Sequence, residues 1–422
     1  MSSIFDQASL IWDGRLRGSA AGKLFPLKPN VKDLTGDFIT VTRASTKLRI
    51  GSNGLYGSVA NNVPAFEFNT DGTYRGLLVE PGATNSIRNN SMTGAVAGTP
   101  GTLPTNWGEA LSGLTREVVG TGTENGVTYI DIKLSGTAAA TLAELRFETA
   151  TSIVASTGQS WTNSFFAKSI SAPNPPVRYE ISIVERTAGG SFVASGNLQF
   201  VPTSTIQRFS QTRTLSGGGT VERVQPLLVF VLVNGATYDF TIRIGWPQME
   251  TGSVATSPIV TTAGTASRVA DVVSLTGASS LIGQTEGTIY MELDVRNFLP
   301  ASAIYAIALT DGTTNNIIGL RRVGTTGLLN FAIVQGGVFG ASISLSPISN
   351  GVVKIAGGYA NNDAVFYVNG VQVGTDTSVT IPSTSRIDLG GITGASQIAD
   401  YIRSVAVFPT RLANATLQAL TA

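Results

Sequence analysis

Between two apolar, β-branched runs, Ala364 to Val368 and Val371 to Val373, the chain places the dipeptide Asn369-Gly370. A two-residue hairpin turn whose twist matches its strands needs positive φ at both central residues, and Asn-Gly meets that demand best. Such a turn fixes register. It sets Val368 opposite Val371 and Phe366 opposite Val373, so period-2 alternation puts these four side chains on one face and Tyr367 and Gln372 on the other. A lone hairpin buries too little to be stable, so this one belongs to a larger sheet covered on one side.

Turn signals of this kind recur along the chain. Ser52-Asn53-Gly54, Asn61-Asn62 and Thr70-Asp71-Gly72 separate the short alternating segments Phe38 to Thr42, Ala65 to Asn69 and Gly76 to Glu80. Further on, Tyr129 to Leu134, Trp161 to Ala167, Arg178 to Val184, Leu227 to Val233 and Tyr238 to Ile244 read as strands from their β-branched and aromatic content. Leu145 and Phe147 alternate with charged residues, so Thr141 to Glu148 is expected to be a strand as well. Helical spacing shows at the end of the chain, where Asn414 is placed to cap a short helix carrying Leu417 and Leu420 on one face, over an open sheet edge. With 48 glycines in 422 residues the class is all-β, and the length predicts more than one domain.

Two zeros narrow the chemistry: the chain has no His and no Cys. Cys/His zinc sites, thiol nucleophiles, disulfides and Ser-His-Asp triads are excluded, leaving carboxylate chemistry and oxygen-ligated calcium. Neither a cofactor nor a metal is expected. Glu250 and Asp271 are the carboxylates that calcium would use where a jelly roll closes. A net charge of +1 argues against nucleic acid or an anionic membrane as the main partner, and no apolar run is long enough to insert in a bilayer. The first residues lack the basic and apolar regions of a secretory signal, so synthesis in a cytoplasm is expected. In the first fifty residues eight basic side chains outnumber four acidic ones, an arm that suits an acidic partner or a solvated face.

On the strand Thr288 to Arg296, residues two apart share a face, so Tyr290, Glu292, Asp294 and Arg296 line one side and Ile289, Met291, Leu293 and Val295 the other. The polar side suits a sugar. Trp107 and Trp161 are the further candidates, since a flat indole stacks on the CH-rich face of a pyranose and its N–H reaches a hydroxyl.

The series GVVKIAGGYANNDAVFYVNGVQVGTD, RIDLGG and YIRSVAVFPTRLANATLQALT resembles the concanavalin A-like (laminin-G-like) lectin domain at the C-terminal end of tailed-phage fibre and spike proteins. Thr42-Arg43-Ala44-Ser45, Asn62-Val63-Pro64, Gly76-Leu77-Leu78-Val79-Glu80 and Thr84-Asn85 resemble the N-terminal module of phage fibre and head-spike proteins, with Ala65 where that family commonly has Arg. The opening GTPGTLPTNW, with Trp246 to Glu250, Ala255 to Ile259 and Arg268 to Asp271, is similar to the carbohydrate-binding-like jelly roll between those modules. The resemblance implies an attachment module over residues 1–84, a jelly roll over 85–271, a linker over 272–286 and a lectin-like sandwich over 287–422.

It also implies a structural protein of the virion, a tail fibre or head spike. Such a protein would be a homotrimer, join other virion proteins through its N-terminal module and bind a host-surface glycan through its C-terminal domain. The alternative is a capsid or tail decoration protein that binds no glycan. Concanavalin-like glycosidases carry E-x-D-x-x-E on a strand, and here Glu292 and Asp294 are followed by Asn297 in the third position. An amide neither attacks an anomeric carbon as a carboxylate does nor shuttles the proton, so no enzyme is expected and a glycan depolymerase is the remotest reading.

Overall fold

The computed structural model describes residues 7–13, 18–20, 23–25, 39–218, 220–296, 303–348, 350–392 and 397–422. Nearly all regular structure is β, as the turn spacing predicts, and the chain divides into two compact units, Ala83–Arg268 and the pair Met1–Gly82 with Val269–Ala422.

The unit Ala83–Arg268 is a sandwich of antiparallel sheets. Among the described residues one sheet runs in the order Gly108–Ala110, Leu142–Arg146, Arg223–Val231, Arg178–Arg186 and Phe192–Phe200, with Ile153–Val154 beside Arg223–Val231. The other runs Thr115–Glu124, Val127–Thr137, Thr237–Thr251, Ser160–Asn174 and Gln207–Thr214. Alternate residues meet in one core, Ile181, Ile183, Leu228 and Phe230 from the first sheet against Ile130, Ile132, Phe240 and Ile242 from the second. The strand expected over Thr141 to Glu148 is there as Leu142–Arg146.

The other unit corrects two sequence expectations. Residues 1–84 do not stand apart as a module. Ile39–Thr42 pairs with Val272–Thr276, while Leu10–Asp13 and Tyr74–Leu78 both pair with Tyr401–Phe408, so N-terminal strands share sheets with C-terminal ones. Nor is 272–286 only a linker, because Val272–Thr276 lies between Ile39–Thr42 and Arg386–Leu389. Its Val273 and Leu275 are buried and its Ser and Thr point the other way, an alternation that the small polar composition conceals. The sheet that holds Gly351–Ala360 and Asp363–Val368 packs closely on the sheet that holds Leu328–Gln335, where a Cβ on Gly357 would lie 2.5 Å from the Phe331 ring and Phe331 and Phe366 have centroids 6.2 Å apart.

The Asn369-Gly370 turn forms as expected, with φ of 47° and 79° and Val368 opposite Val371. Beyond it the register slips by a bulge: Tyr367 faces Gln372 and Phe366 faces Gly374, so Val373 is the extra residue and not the partner of Phe366. Val371 is 65% exposed on this edge strand, so it leaves the core face that strict alternation gave it. The helix Asn414–Thr421 covers a sheet face and not an edge, since Leu417 and Leu420 pack with Tyr290, Val365 and Phe408. Ala413 occupies the cap position, and the Asn414 side chain instead accepts a hydrogen bond from Arg411 at 2.8 Å.

Candidate functional site

The strand Glu286–Val295 has the alternation read from its sequence, with Ile289, Met291, Leu293 and Val295 in the core. Its polar side is nevertheless occupied. Tyr290 is buried under the terminal helix, Glu292 Oε1 accepts from Arg403 Nε at 2.7 Å, and Asp294 Oδ2 accepts from Arg75 Nε at 2.6 Å. Arg75 also donates to the Tyr401 hydroxyl at 3.1 Å and lies 4.0 Å from the centre of that ring. Arg296 turns inward: its Nη2 donates to Glu80 Oε1 at 3.0 Å and its backbone N to Asp400 Oδ1 at 2.7 Å. Asn297 lies outside the described residues. Trp161 is 4% exposed, with Nε1 donating to Gln159, and so offers no face to a ring. Trp107 packs edge-on against Phe147 at 4.8 Å and donates to the Asn89 carbonyl at 2.8 Å, a core role.

The motif residues of the N-terminal stretch converge on a buried ion network. Asp271 accepts from Arg43 Nη1 at 2.9 Å on one oxygen, and from Lys47 Nζ at 2.7 Å and the Glu80 backbone N at 2.9 Å on the other. Lys47 also lies 3.1 Å from Glu80 Oε2. The rest of the Arg43 guanidinium donates to the carbonyls of Ser45, Ala60 and Val63, while Asn62 Oδ1 accepts the Arg43 backbone N–H. Neither an acidic-partner arm nor a solvated face describes Arg43 and Lys47, which are 1% and 2% exposed. Arg15, Arg17, Lys28 and Lys32 lie outside the described residues. Nearby, burial first and the Glu80 charge second push the Glu67 carboxyl up to about 7.

Glu250 and Asp271 are not free to hold calcium. Glu250 accepts from the Thr256 backbone N at 2.9 Å, the Thr256 hydroxyl at 2.7 Å and Gln248 Nε2 at 2.7 Å, while Asp271 is saturated as above. Among the described residues no group of three or more acidic side chains is placed to hold a metal ion.

A different surface has open chemistry: the outer face of the sheet built on Arg178–Arg186 and Arg223–Val231. Residues directly opposite one another share a face, so Phe192, Arg186 and Arg223 form one row across three strands, and Asn197, Ser182, Leu227 and Arg146 form another. Between these rows Val184 lies opposite Gln225, and in a last row Val229 separates Glu180 from Glu144. Val184, Leu227 and Val229 make a buried apolar cluster apart from the main core. Beside it, Ser182 donates to Asn197 at 2.7 Å, Asn197 to Glu180 at 3.1 Å and Arg178 to Glu180 at 2.5 Å, which holds the polar groups in place. Arg186 Nε donates to Gln225 Oε1 at 2.7 Å and its Nη1 to the Gly190 carbonyl at 3.0 Å, while Gln225 donates on to the Glu148 carbonyl at 2.7 Å. Phe192 stands at the end of its row 64% exposed. Burial, then the neighbouring Arg146 charge, lowers the Arg186 pKa, and Glu144 opposes them. Gln225, 1% exposed with both ends of its amide engaged, holds Arg186 in place, and an exposed ring beside fixed guanidinium donors can take a hydroxyl-rich ring.

The opposite outer face of this unit is closed by its own charges. Arg243 Nη2 lies 2.8 Å from Asp131 and its Nη1 2.5 Å from Glu124, whose other oxygen meets Lys168 at 2.7 Å. The same guanidinium sits 3.4 Å over Tyr129.

No protein-family model matches the chain, and no curated protein is similar to it by sequence. Solved structures with partial similarity include the CBM40 module of the Ruminococcus gnavus IT-sialidase, at 15% identity and TM-score 0.29 over 34% of this chain and 87% of that one. Domain 4 of AbnA, a GH43 extracellular arabinanase from Geobacillus stearothermophilus solved with arabinotriose, is 14% identical at TM-score 0.31 over 40% of this chain and 82% of that one. The enzymatically active domain of bacteriophage CBA120 tailspike protein 4 is 16% identical at TM-score 0.23 over 35% of this chain and only 19% of that one.

Proposed function

We propose that this chain is a non-catalytic glycan-binding protein of a tailed-phage particle, and that its binding surface is the outer face carrying Phe192, Arg186 and Arg223. The observation that carries the reading is the row Phe192–Arg186–Arg223, an exposed ring in register with two arginines beside a buried apolar cluster. Glycan binding belongs here and not on the Glu292 side of Glu286–Val295, because the carboxylates there already serve Arg403 and Arg75. In this reading the unit built from Met1–Gly82 and Val269–Ala422 serves assembly. The virion location and a homotrimer follow from the likeness of the sequence motifs to phage fibres. Exposed apolar edge residues such as Val338, Phe339 and Val371 suit burial between copies.

The test is binding of the full chain to intact polysaccharide from candidate host envelopes, with reducing-end release measured in the same tube. Binding without release, lost in Phe192→Ala, is the expected result. Release of reducing ends would contradict the non-catalytic role, and a sedimentation mass of one chain would remove the trimer.

A further inference from the structure

We infer that the glycan taken by this face is acidic, with a sugar carboxylate held between the guanidinium groups of Arg186 and Arg223; the inference rests on the glycan-binding reading above. The two arginines lie directly opposite one another on neighbouring antiparallel strands. Like charges in that position repel and destabilise the pair, so the arrangement weakens the empty sheet. Neither makes a salt bridge among the described residues. Arg186 spends Nε on Gln225 and Nη1 on Gly190, and Arg223 spends Nε on Thr151 and Nη1 on the Glu222 carbonyl, all neutral acceptors. That leaves the Nη2 group of each arginine uncommitted. The nearest acidic side chains are engaged elsewhere: Glu144 with Arg146, Glu180 with Arg178 and Asn197, and Glu222 Oε2 with the Ala188 backbone N.

The contrast with the other arginine clusters of the chain is chemical. Arg43 and Arg243 each meet carboxylates at 2.9 Å or less. At Arg186 a half-buried guanidinium stands in register opposite Arg223, and its hydrogen bonds go to neutral acceptors that hold it in place. A carboxylate accepting from both Nη2 groups would relieve the repulsion through charge-assisted hydrogen bonds. Phe192, in the same row, would then lie under the ring that bears it. A phosphate polymer is a poorer match, because a nucleic acid needs a basic stripe and this face continues into Glu180 and Glu144.

The full chain is tested on an array of bacterial surface polysaccharides with neutral and with uronic-acid repeat units. The best acidic binder is then titrated beside its carboxyl-reduced form and beside heparin, with wild type, Arg186→Gln, Arg186→Lys, Arg223→Gln and Phe192→Ala. Expected is a preference of about tenfold or more for the acidic form over its reduced counterpart. Arg186→Gln and Arg223→Gln abolish that preference by weakening the acidic form far more than the reduced one, Arg186→Lys keeps part of it, and Phe192→Ala weakens both forms. Melting curves confirm that each variant is folded. Equal affinity for acidic and reduced forms, or equal loss of both in Arg186→Gln, overturns the acidic specificity while leaving the face a glycan site. Heparin bound as tightly as the acidic glycan, with Arg186→Gln unchanged, also overturns it as mere charge attraction. Binding to no polysaccharide defeats the underlying reading itself.

Discussion

Arginines of the same chain are treated in opposite ways by its two units. In the unit built from Met1–Gly82 and Val269–Ala422, Arg43 and Lys47 are driven out of water and each of their charges is answered, Asp271 alone taking both cations and a backbone N–H. On the outer face of the six-stranded sheet, Arg186 and Arg223 are set side by side with neutral acceptors only. A buried cation without a partner costs several kcal/mol, so the first arrangement is a requirement of folding. A half-exposed pair tolerates repulsion through water, so the second persists at small cost and stays available to a ligand. Completeness of pairing, more than the number of charges, separates scaffold from site.

The comparison breaks first at Asp271. Asp271→Ala leaves Arg43 without a carboxylate and Lys47 with Glu80 alone, and should lower stability by about 3–5 kcal/mol, read from urea melts, or prevent folding. Next comes the pH response of the buried network. Glu67 titrates near 7 in the fold, above its ordinary value of 4.5, so the folded state holds a proton that the unfolded chain has released between those values. Stability should therefore fall as pH rises from about 4.5 through 7, and Glu67→Gln should flatten that slope in melts across the range. Smaller still is the effect of the open face on folding: Arg186→Gln removes one of two like charges in opposed register and should leave stability within about 0.5 kcal/mol of wild type, or slightly above it. Loss of several kcal/mol there would place Arg186 with the scaffold. Phe192→Ala, at an exposed ring, should change the melting temperature least of all while weakening glycan binding.

Much of the fold was legible because hairpin turns and strand alternation are local. Asn369-Gly370 gave its turn, and Arg178 to Val184 and Tyr238 to Ile244 lie in strands. The bulge at Val373 was not legible, since nothing within the hairpin itself distinguishes strict alternation from a one-residue slip. Nor was the union of the two chain ends, because Arg43 and Lys47 find Asp271 across 228 and 224 residues and a sequence motif does not name its partner. Thr42 to Ser45, Asn62 and Glu80 stood out as motifs for that reason: they build the network, as Asn62 does by holding the Arg43 backbone.

Sequence reasoning did not reach the proposed binding face. Attention to tryptophan favoured Trp107 and Trp161, which the core needs, over a phenylalanine just beyond the Gly189-Gly190 turn. The signal was present in one strand, where Arg178, Glu180, Ser182 and Arg186 all fall on even positions. Period-2 polarity on a strand at the centre of a sandwich marks an outer face, and the nearby exposed aromatic marks what that face can hold.

The most direct measurement compares Arg186→Gln with Glu292→Gln, each as the folded full chain, in binding to the acidic polysaccharide selected on the array. The account predicts that Arg186→Gln loses about tenfold or more in affinity and that Glu292→Gln binds as wild type does. Loss in Glu292→Gln with binding intact in Arg186→Gln would return the site to the strand Glu286–Val295 and contradict the account.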